Sequence, residues 1–340
     1  MRNVFFDSFF FSETVDIRAG TWYNFDKEKR KGQSMEKMEL LAYAKINLTL
    51  DVTGRLPNGY HRIDSFMQSV SLADKLTVEI KQGSGIEVGC RSSYAPDGKD
   101  NIVYRAVQRY LQETGHNVNV KITLEKNIPS PMGLGGGSAD AAAVLRALAD
   151  YFGEASDSPS LIRVAAAIGS DVPFCLHGGT QRVRGMGEQL TPLPALPDCL
   201  FVIAYGKKPT LTGPAYQLLD QMFGNFAEPT PTEHADARRM ETALAQGALS
   251  EVGAALYNIF ENLFSETAEP PVLKERLKQA GALGSLMSGS GSSVYGIFSL
   301  QERALAERAV ARLKEEGFGA VLCHPVPRLT KNSTKTINCF

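Results

Sequence analysis

The chain has 340 residues, 43% hydrophobic and 21% charged, an ordinary globular composition. At about 150 residues per domain this length predicts two domains, which need no disulfide or metal staples to hold a core. Lys and Arg number 36 against 37 Asp and Glu, a net charge of -1. The chain therefore lacks the basic excess of a general nucleic-acid binder, and no apolar run approaches the ~20 residues of a membrane helix.

Residues 1–38 stand apart. Phe5, Phe6, Phe9, Phe10, Phe11 and Phe25 cluster there with the only Trp, Trp22, and Asp7, Glu13, Asp16, Asp26 and Glu28 make the stretch too acidic for a transit peptide. It reads as an extension outside the core, with Met35 or Met38 as a candidate true start, because patterned sequence begins immediately after. Alternation predicts strands over Glu39–Asp51 and Lys75–Val88, with turn chemistry at Gly54–Gly59 between them. Asn101–Thr114 has helical spacing and Val118–Leu124 alternates. The alanine-rich run Ala139–Tyr151 and Leu161–Ile168 read as helices. Pro192, Pro194 and Pro197 suggest a boundary near 195. Beyond it come a strand at Leu200–Ala204 and helices at Asp236–Gln246 and Pro271–Ala280. Strands at Gly284–Met287 and Ser293–Phe298, a helix at Gln301–Glu316 and a strand at Gly319–Cys323 follow. This β-α-α-β-β-α-β order is close to a ferredoxin-like domain. The expected division is 1–38 extension, 39–195 first domain, 196–328 second domain and 329–340 tail.

The cysteines (Cys90, Cys175, Cys199, Cys323, Cys339) and histidines (His61, His116, His177, His234, His324) are scattered, without metal-ligand or redox spacing. The expectation is a reduced, cytoplasmic protein without a structural metal and with neither nucleic acid nor membrane as a partner.

Gly133-Leu134-Gly135-Gly136-Gly137-Ser138 running into Ala139–Leu145 is the most informative stretch. Glycines let backbone amides approach a ligand, and a helix starting at Ser138 aims its unpaired N–H groups at the same point, which suits a polyphosphate. No Lys lies between Gly133 and Arg146, so this is not a Walker A loop, and Ser138 breaks a dinucleotide fingerprint.

Four other features carry candidate chemistry. Lys45 and Asn47 share one face of the first strand; a lone Lys there reads as a solvated edge residue. Asp171, within Gly169–Phe174, is either a helix N-cap or a general base. Tyr60-His61 after the Asn58-Gly59 turn is either a packed corner or a platform for a planar heterocycle. Ser288–Ser293 reads by itself as a plain hairpin loop.

Ala44–Leu48, Ile128–Ala142 and Met287–Gly291, in this order, resemble the three motifs of the GHMP kinase superfamily, over about residues 39–328. Gly59–His61 and Gly169–Phe174 add to the resemblance. It implies an α+β, two-domain fold, with a ribosomal-S5-domain-2-like nucleotide domain joined to a ferredoxin-like domain. It implies an enzyme that uses ATP and Mg²⁺ to phosphorylate the 2-hydroxyl of a cytidine-diphosphate-linked methylerythritol in isoprenoid precursor synthesis, as a monomer or weak homodimer. Phosphates would lie on Gly133, Leu134, Gly135, Gly136, Gly137 and Ser138, with Pro129 in the same motif. Asn101 and Ile102 would line the adenine pocket. Asp171 matches the catalytic base and Lys45 its partner. Asn47 and Thr212 match contacts to the methylerythritol end. Tyr60 and Tyr216 match the aromatics that sandwich the cytosine, and His61 its hydrogen-bonding partner. Ala139 stands where a second Ser is usual, so no side chain is assigned to Mg²⁺. The rivals are a homoserine, mevalonate or sugar kinase, or an inactive nucleotide-binding protein.

Overall fold

The computed structural model describes residues 23–30, 33–92, 95–226 and 236–329. The aromatic cluster at 5–11, Trp22, His234, Cys339 and the tail after Leu329 lie outside them. The first sheet opens with β1 (Tyr23–Arg30) and β2 (Gln33–Arg55), antiparallel from Tyr23 opposite Leu40 to Arg30 opposite Gln33. β2 thus starts at Gln33 rather than Glu39. Met38, Leu40 and Ala42 are all buried and carry the inward face back toward the hairpin.

β3 (His61–Gln82) pairs with β2 from the turn, where Arg55 faces His61, to Glu36 opposite Ile80. The single strand expected over Lys75–Val88 is two strands. The chain breaks at Gly83 and Gly85, whose φ values of 124° and 140° favour glycine, and β4 (Gly85–Arg91) leaves to pair parallel with β5 (Val118–Glu125). β5 lies antiparallel on β3. β6 (Thr180–Gly185) pairs with the first part of β3, and β7 (Gln189–Pro192) pairs with β6.

Helices α1 (Ile102–Thr114), α2 (Gly136–Tyr151), α3 (Pro159–Ile168) and α4 (Val172–His177) cover this sheet. Val107 and Tyr110 of α1, Val144 and Leu148 of α2 and Val164 of α3 form one buried cluster with Leu40, Val78 and Ile122.

The second sheet has β8 (Cys199–Tyr205), β10 (Gly284–Met287), β11 (Val294–Ser299) and β12 (Gly319–Cys323) in the antiparallel order β10-β11-β8-β12. Between β8 and β10 the chain forms α5 (Thr212–Met222), α6 (Ala237–Gln246), α7 (Leu249–Ala254), the short strand β9 (Tyr257–Asn258) and α8 (Glu269–Gln279). Helix α9 (Arg303–Glu315) precedes β12. Leu273 and Leu277 of α8 and Ala306, Ala309 and Leu313 of α9 join the core of this sheet. The two sheets meet through a shared core in which Ala44, Ile46 and Leu48 of β2 join Phe201, Ile203, Tyr295 and Ile297. The opposite face of β2 is buried there too, at Lys45, Asn47 and Thr49, so period-2 alternation cannot separate an inner face from a wet one. Among the described residues, no helix is long and apolar enough to cross a membrane.

A buried charge cluster lies beneath the start of α2. Lys126 bridges Asp74 and Asp140, with all three side chains at most 3% exposed. Asp74 also accepts from the amides of Asn127 and Ile128. Two carboxylates thus share one ammonium. Burial, reinforced by the charge of Asp74 and opposed by Lys126, pushes the Asp140 carboxyl up to about 8. Between about pH 4 and pH 8 the unfolded chain releases a proton that the folded chain keeps, so this group costs stability as pH rises through that window. Asp140→Asn needs no proton and keeps an oxygen for Lys126. Its melting temperature should therefore rise relative to wild type by a few degrees between pH 5 and pH 8. A difference that stays flat with pH would show that Asp140 is ionised throughout.

Candidate active site

Strand β2 shifts register between Tyr43 and Lys45 and again between Asn47 and Thr49. Such irregularities re-aim side chains. Lys45 is only 4% exposed, so it is not a solvated edge residue. Its Nζ donates to Asn47 Oδ1 at 2.9 Å and lies 3.4 Å from Asp171 Oδ2. A buried ammonium requires such partners. Asp171 occupies the N-cap position of α4, but its side chain accepts no capping bond. The capping alternative is therefore corrected: the carboxylate is left free to face Lys45, with its side chain 28% exposed.

Asn47 is fully buried. Its Oδ1 also accepts from the Gly289 amide at 2.9 Å, and its Nδ2 donates to Ser65 Oγ at 2.8 Å. The side chain thus joins Lys45 to the third motif.

Helix α2 starts at Gly136 rather than Ser138, because Gly135 takes the N-cap position at φ 70° and supplies no side chain to the first-turn amides. Those donors stay open to an anion. The loop is tightly enclosed. A Cβ on Gly135 would lie 2.8 Å from Lys45 Cγ, and one on Gly133 would lie 2.0 Å from Ser288 O. That second contact corrects the reading of Ser288–Ser293 as a plain hairpin loop. Ser288 Oγ donates to Gly133 O at 2.9 Å and the Ser293 amide to Met132 O at 3.1 Å, so the loop buttresses the phosphate loop.

Sequence reasoning missed Asn258, whose Nδ2 donates to Met287 O at 2.7 Å and Gly289 O at 2.8 Å and so holds that buttress. A lone Asn in an irregular stretch carries no local signal for this. The side chain of Asn101 is committed to α1, accepting from the Val103 amide at 2.9 Å, while Ile102 reaches the cleft wall.

At the far end Tyr60 follows a tight turn and is 61% exposed. His61 stacks on Tyr216 at a centroid distance of 4.5 Å, and Tyr216 meets Phe260 edge-on at 4.9 Å. One face of Tyr216 is therefore already covered by His61. Burial and the nearby Asp171 charge push the Tyr216 phenol up, so it stays protonated. Thr212 Oγ1 lies 3.1 Å from Ser290 Oγ of the buttress loop. Asp220, also missed, lies 2.7 Å from His61 Nε2. The signal for it would have been a carboxylate one helical turn after Tyr216 on α5, a helix the sequence reading did not place.

One cleft of about 650 Å³ collects these groups: Lys45, Asn47, Tyr60, His61, Pro129, the loop Gly133–Ser138, Asp171, Thr212 and Tyr216 all line it. It offers an anion seat at a helix N-terminus, a proton acceptor beside an ammonium, and an aromatic end.

The chain matches two family signatures: GHMP kinases N terminal domain over residues 101–179 and GHMP kinases C terminal over residues 240–318. It is 40% identical to the 4-diphosphocytidyl-2-C-methyl-D-erythritol kinase of Desulfitobacterium hafniense, over 86% of this chain and 97% of that one. It is also 40% identical to the enzyme of the same name from Symbiobacterium thermophilum, over 82% and 95%. A crystal structure of 4-(cytidine 5'-diphospho)-2C-methyl-D-erythritol kinase superposes with a TM-score of 0.65 at 32% identity, covering 85% of this chain and 99% of that one. A homoserine kinase from Cytophaga hutchinsonii superposes as well, at 0.66, but at 18% identity, covering 90% and 98%, and so shares the fold alone. Backbone shape does not separate these kinases, whereas sequence identity along nearly the whole length of the first two relatives does. With both signatures in order on a matching two-domain fold, this chain belongs to the GHMP kinase family.

Proposed function

We propose that the protein transfers the γ-phosphoryl group of ATP to the 2-hydroxyl of 4-diphosphocytidyl-2-C-methyl-D-erythritol. The observation that carries this reading is the Lys45–Asp171 pair, set in one cleft between a glycine-lined helix N-terminus and an aromatic end.

The residues present fit ATP. The Gly133–Ser138 loop lines the cleft, a Cβ at Gly133 or Gly135 would strike Ser288 or Lys45, and the first-turn amides of α2 have no side-chain cap. Ile102 and Pro129 extend the wall toward an adenine site. Mg²⁺ would enter on the nucleotide, bound chiefly by phosphate oxygens, and would neutralise their charge.

Asp171 accepts or orients the proton of the attacking hydroxyl. Lys45, held by Asn47, keeps a positive charge beside that carboxylate and the developing alkoxide. The acceptor hydroxyl is tertiary and hindered, so positioning supplies much of the acceleration, about 7–11 kcal/mol in well-oriented systems. Asn47 and Thr212 border the polyol, while Tyr60 and Tyr216 face the base. Homoserine, mevalonate and sugars have no base to use that aromatic end.

A coupled ATPase assay tests the reading. ADP release should depend on the cytidine-linked substrate and be absent with homoserine, mevalonate or galactose. Turnover with one of these three and none with the cytidine substrate would sink it.

A further inference from the structure

The aromatic end of the cleft contains a hydrogen bond that the phosphoryl transfer does not use. His61 Nε2 lies 2.7 Å from Asp220 Oδ1, with the two side chains only 10% and 13% exposed. Arg55 Nη1 lies 3.4 Å from the other Asp220 oxygen, so the carboxylate has a cation on its far side. The imidazole cannot swing away: it stacks on Tyr216 at 4.5 Å and meets Phe226 edge-on at 5.8 Å.

A carboxylate only accepts, so the hydrogen of this bond sits on Nε2. In the neutral ring Nδ1 then has a lone pair and no hydrogen. Nδ1 is the remaining polar atom of a ring that lines the cleft.

We propose that Asp220 is a specificity-determining residue: by holding His61 in the Nε2–H tautomer, it presents an acceptor at Nδ1 that selects the amino group of cytosine over the carbonyl of uracil. This rests on the cytidine-linked substrate assigned above. A carbonyl facing Nδ1 sets two acceptors together, and a site that loses its hydrogen bond this way rejects the analogue strongly. The rival is a purely structural latch, in which Arg55–Asp220 only ties the end of β2 to α5. A latch loosens both substrates alike, whereas a tautomer lock changes their ratio.

The test compares kcat/KM for the cytidine substrate and its uridine counterpart. Wild type should prefer cytidine by about 100-fold or more. Asp220→Asn, whose amide can accept or donate, frees the tautomer and should narrow that ratio about 10-fold. Nitrogen-15 NMR of the wild-type imidazole at about pH 8.5, with competition by CMP and UMP, needs neither turnover nor a folded variant. It should show hydrogen on Nε2 and tighter CMP binding. An unchanged ratio in a folded Asp220→Asn protein, hydrogen on Nδ1, or equal binding of CMP and UMP each overturns the proposal. Lack of turnover with the cytidine substrate, while the tautomer and the CMP preference stand as expected, instead counts against the proposed reaction.

Discussion

Replacing Asp171 by Asn is expected to lower turnover about 10²–10⁴-fold while ATP binding stays nearly unchanged, the range that a positioned general base contributes. The isosteric change preserves volume and removes only the charge and the proton acceptor. It does not remove a helix cap, because the Asp171 side chain makes no capping bond. The fold should therefore tolerate it. The carboxylate pairs with Lys45 at 3.4 Å while the uncapped amides of α2 supply the anion seat, so nucleotide affinity, measured by titration of the free protein, has little reason to change. Turnover within a few-fold of wild type would remove Asp171 from the chemistry. It would leave the Lys45–Asp171 pair as a structural contact.

Tyr60→Ala is expected to raise the apparent constant for the cytidine substrate about 5- to 150-fold, since stacking a base on an aromatic ring is worth about 1–3 kcal/mol. Tyr60 is the cleaner of the two aromatic probes. Its ring is 61% exposed and packs into no core. Tyr216 instead supports His61 and Phe260, so Tyr216→Ala should lose similar affinity and some stability together. For Tyr60→Ala, the KM for ATP and the melting temperature should stay near wild type. If neither variant changes the cytidine constant and CMP fails to compete with substrate, the aromatic end is not a base pocket, and another acceptor must be sought.

What the sequence alone determined was local. Glycine spacing, a following alanine helix and the absence of a Lys define the phosphate loop because its amides come from consecutive residues. Helix spacing located α1 and α2 to within a few residues for the same reason. The Lys, Asp, Tyr and His of the cleft were legible through family motifs, which encode tertiary geometry that spacing does not. Only the folded chain decided whether Lys45 is wet or buried, since the Gly135 backbone packs against its stem and Asp171 and Asn47 meet its ammonium. Likewise only the fold decided that Asp171 turns away from its own helix, and that Ser288 rather than solvent lies against Gly133. Asn258 left no mark in the sequence, and the spacing of Asp220 from Tyr216 carries meaning only once α5 is known to be a helix. Asp220 meets His61 across 159 residues, and Asn258 reaches Gly289 across 31. A side chain whose partner lies on another element has no periodic signature, because its role is set by how the sheets pack rather than by its own neighbours.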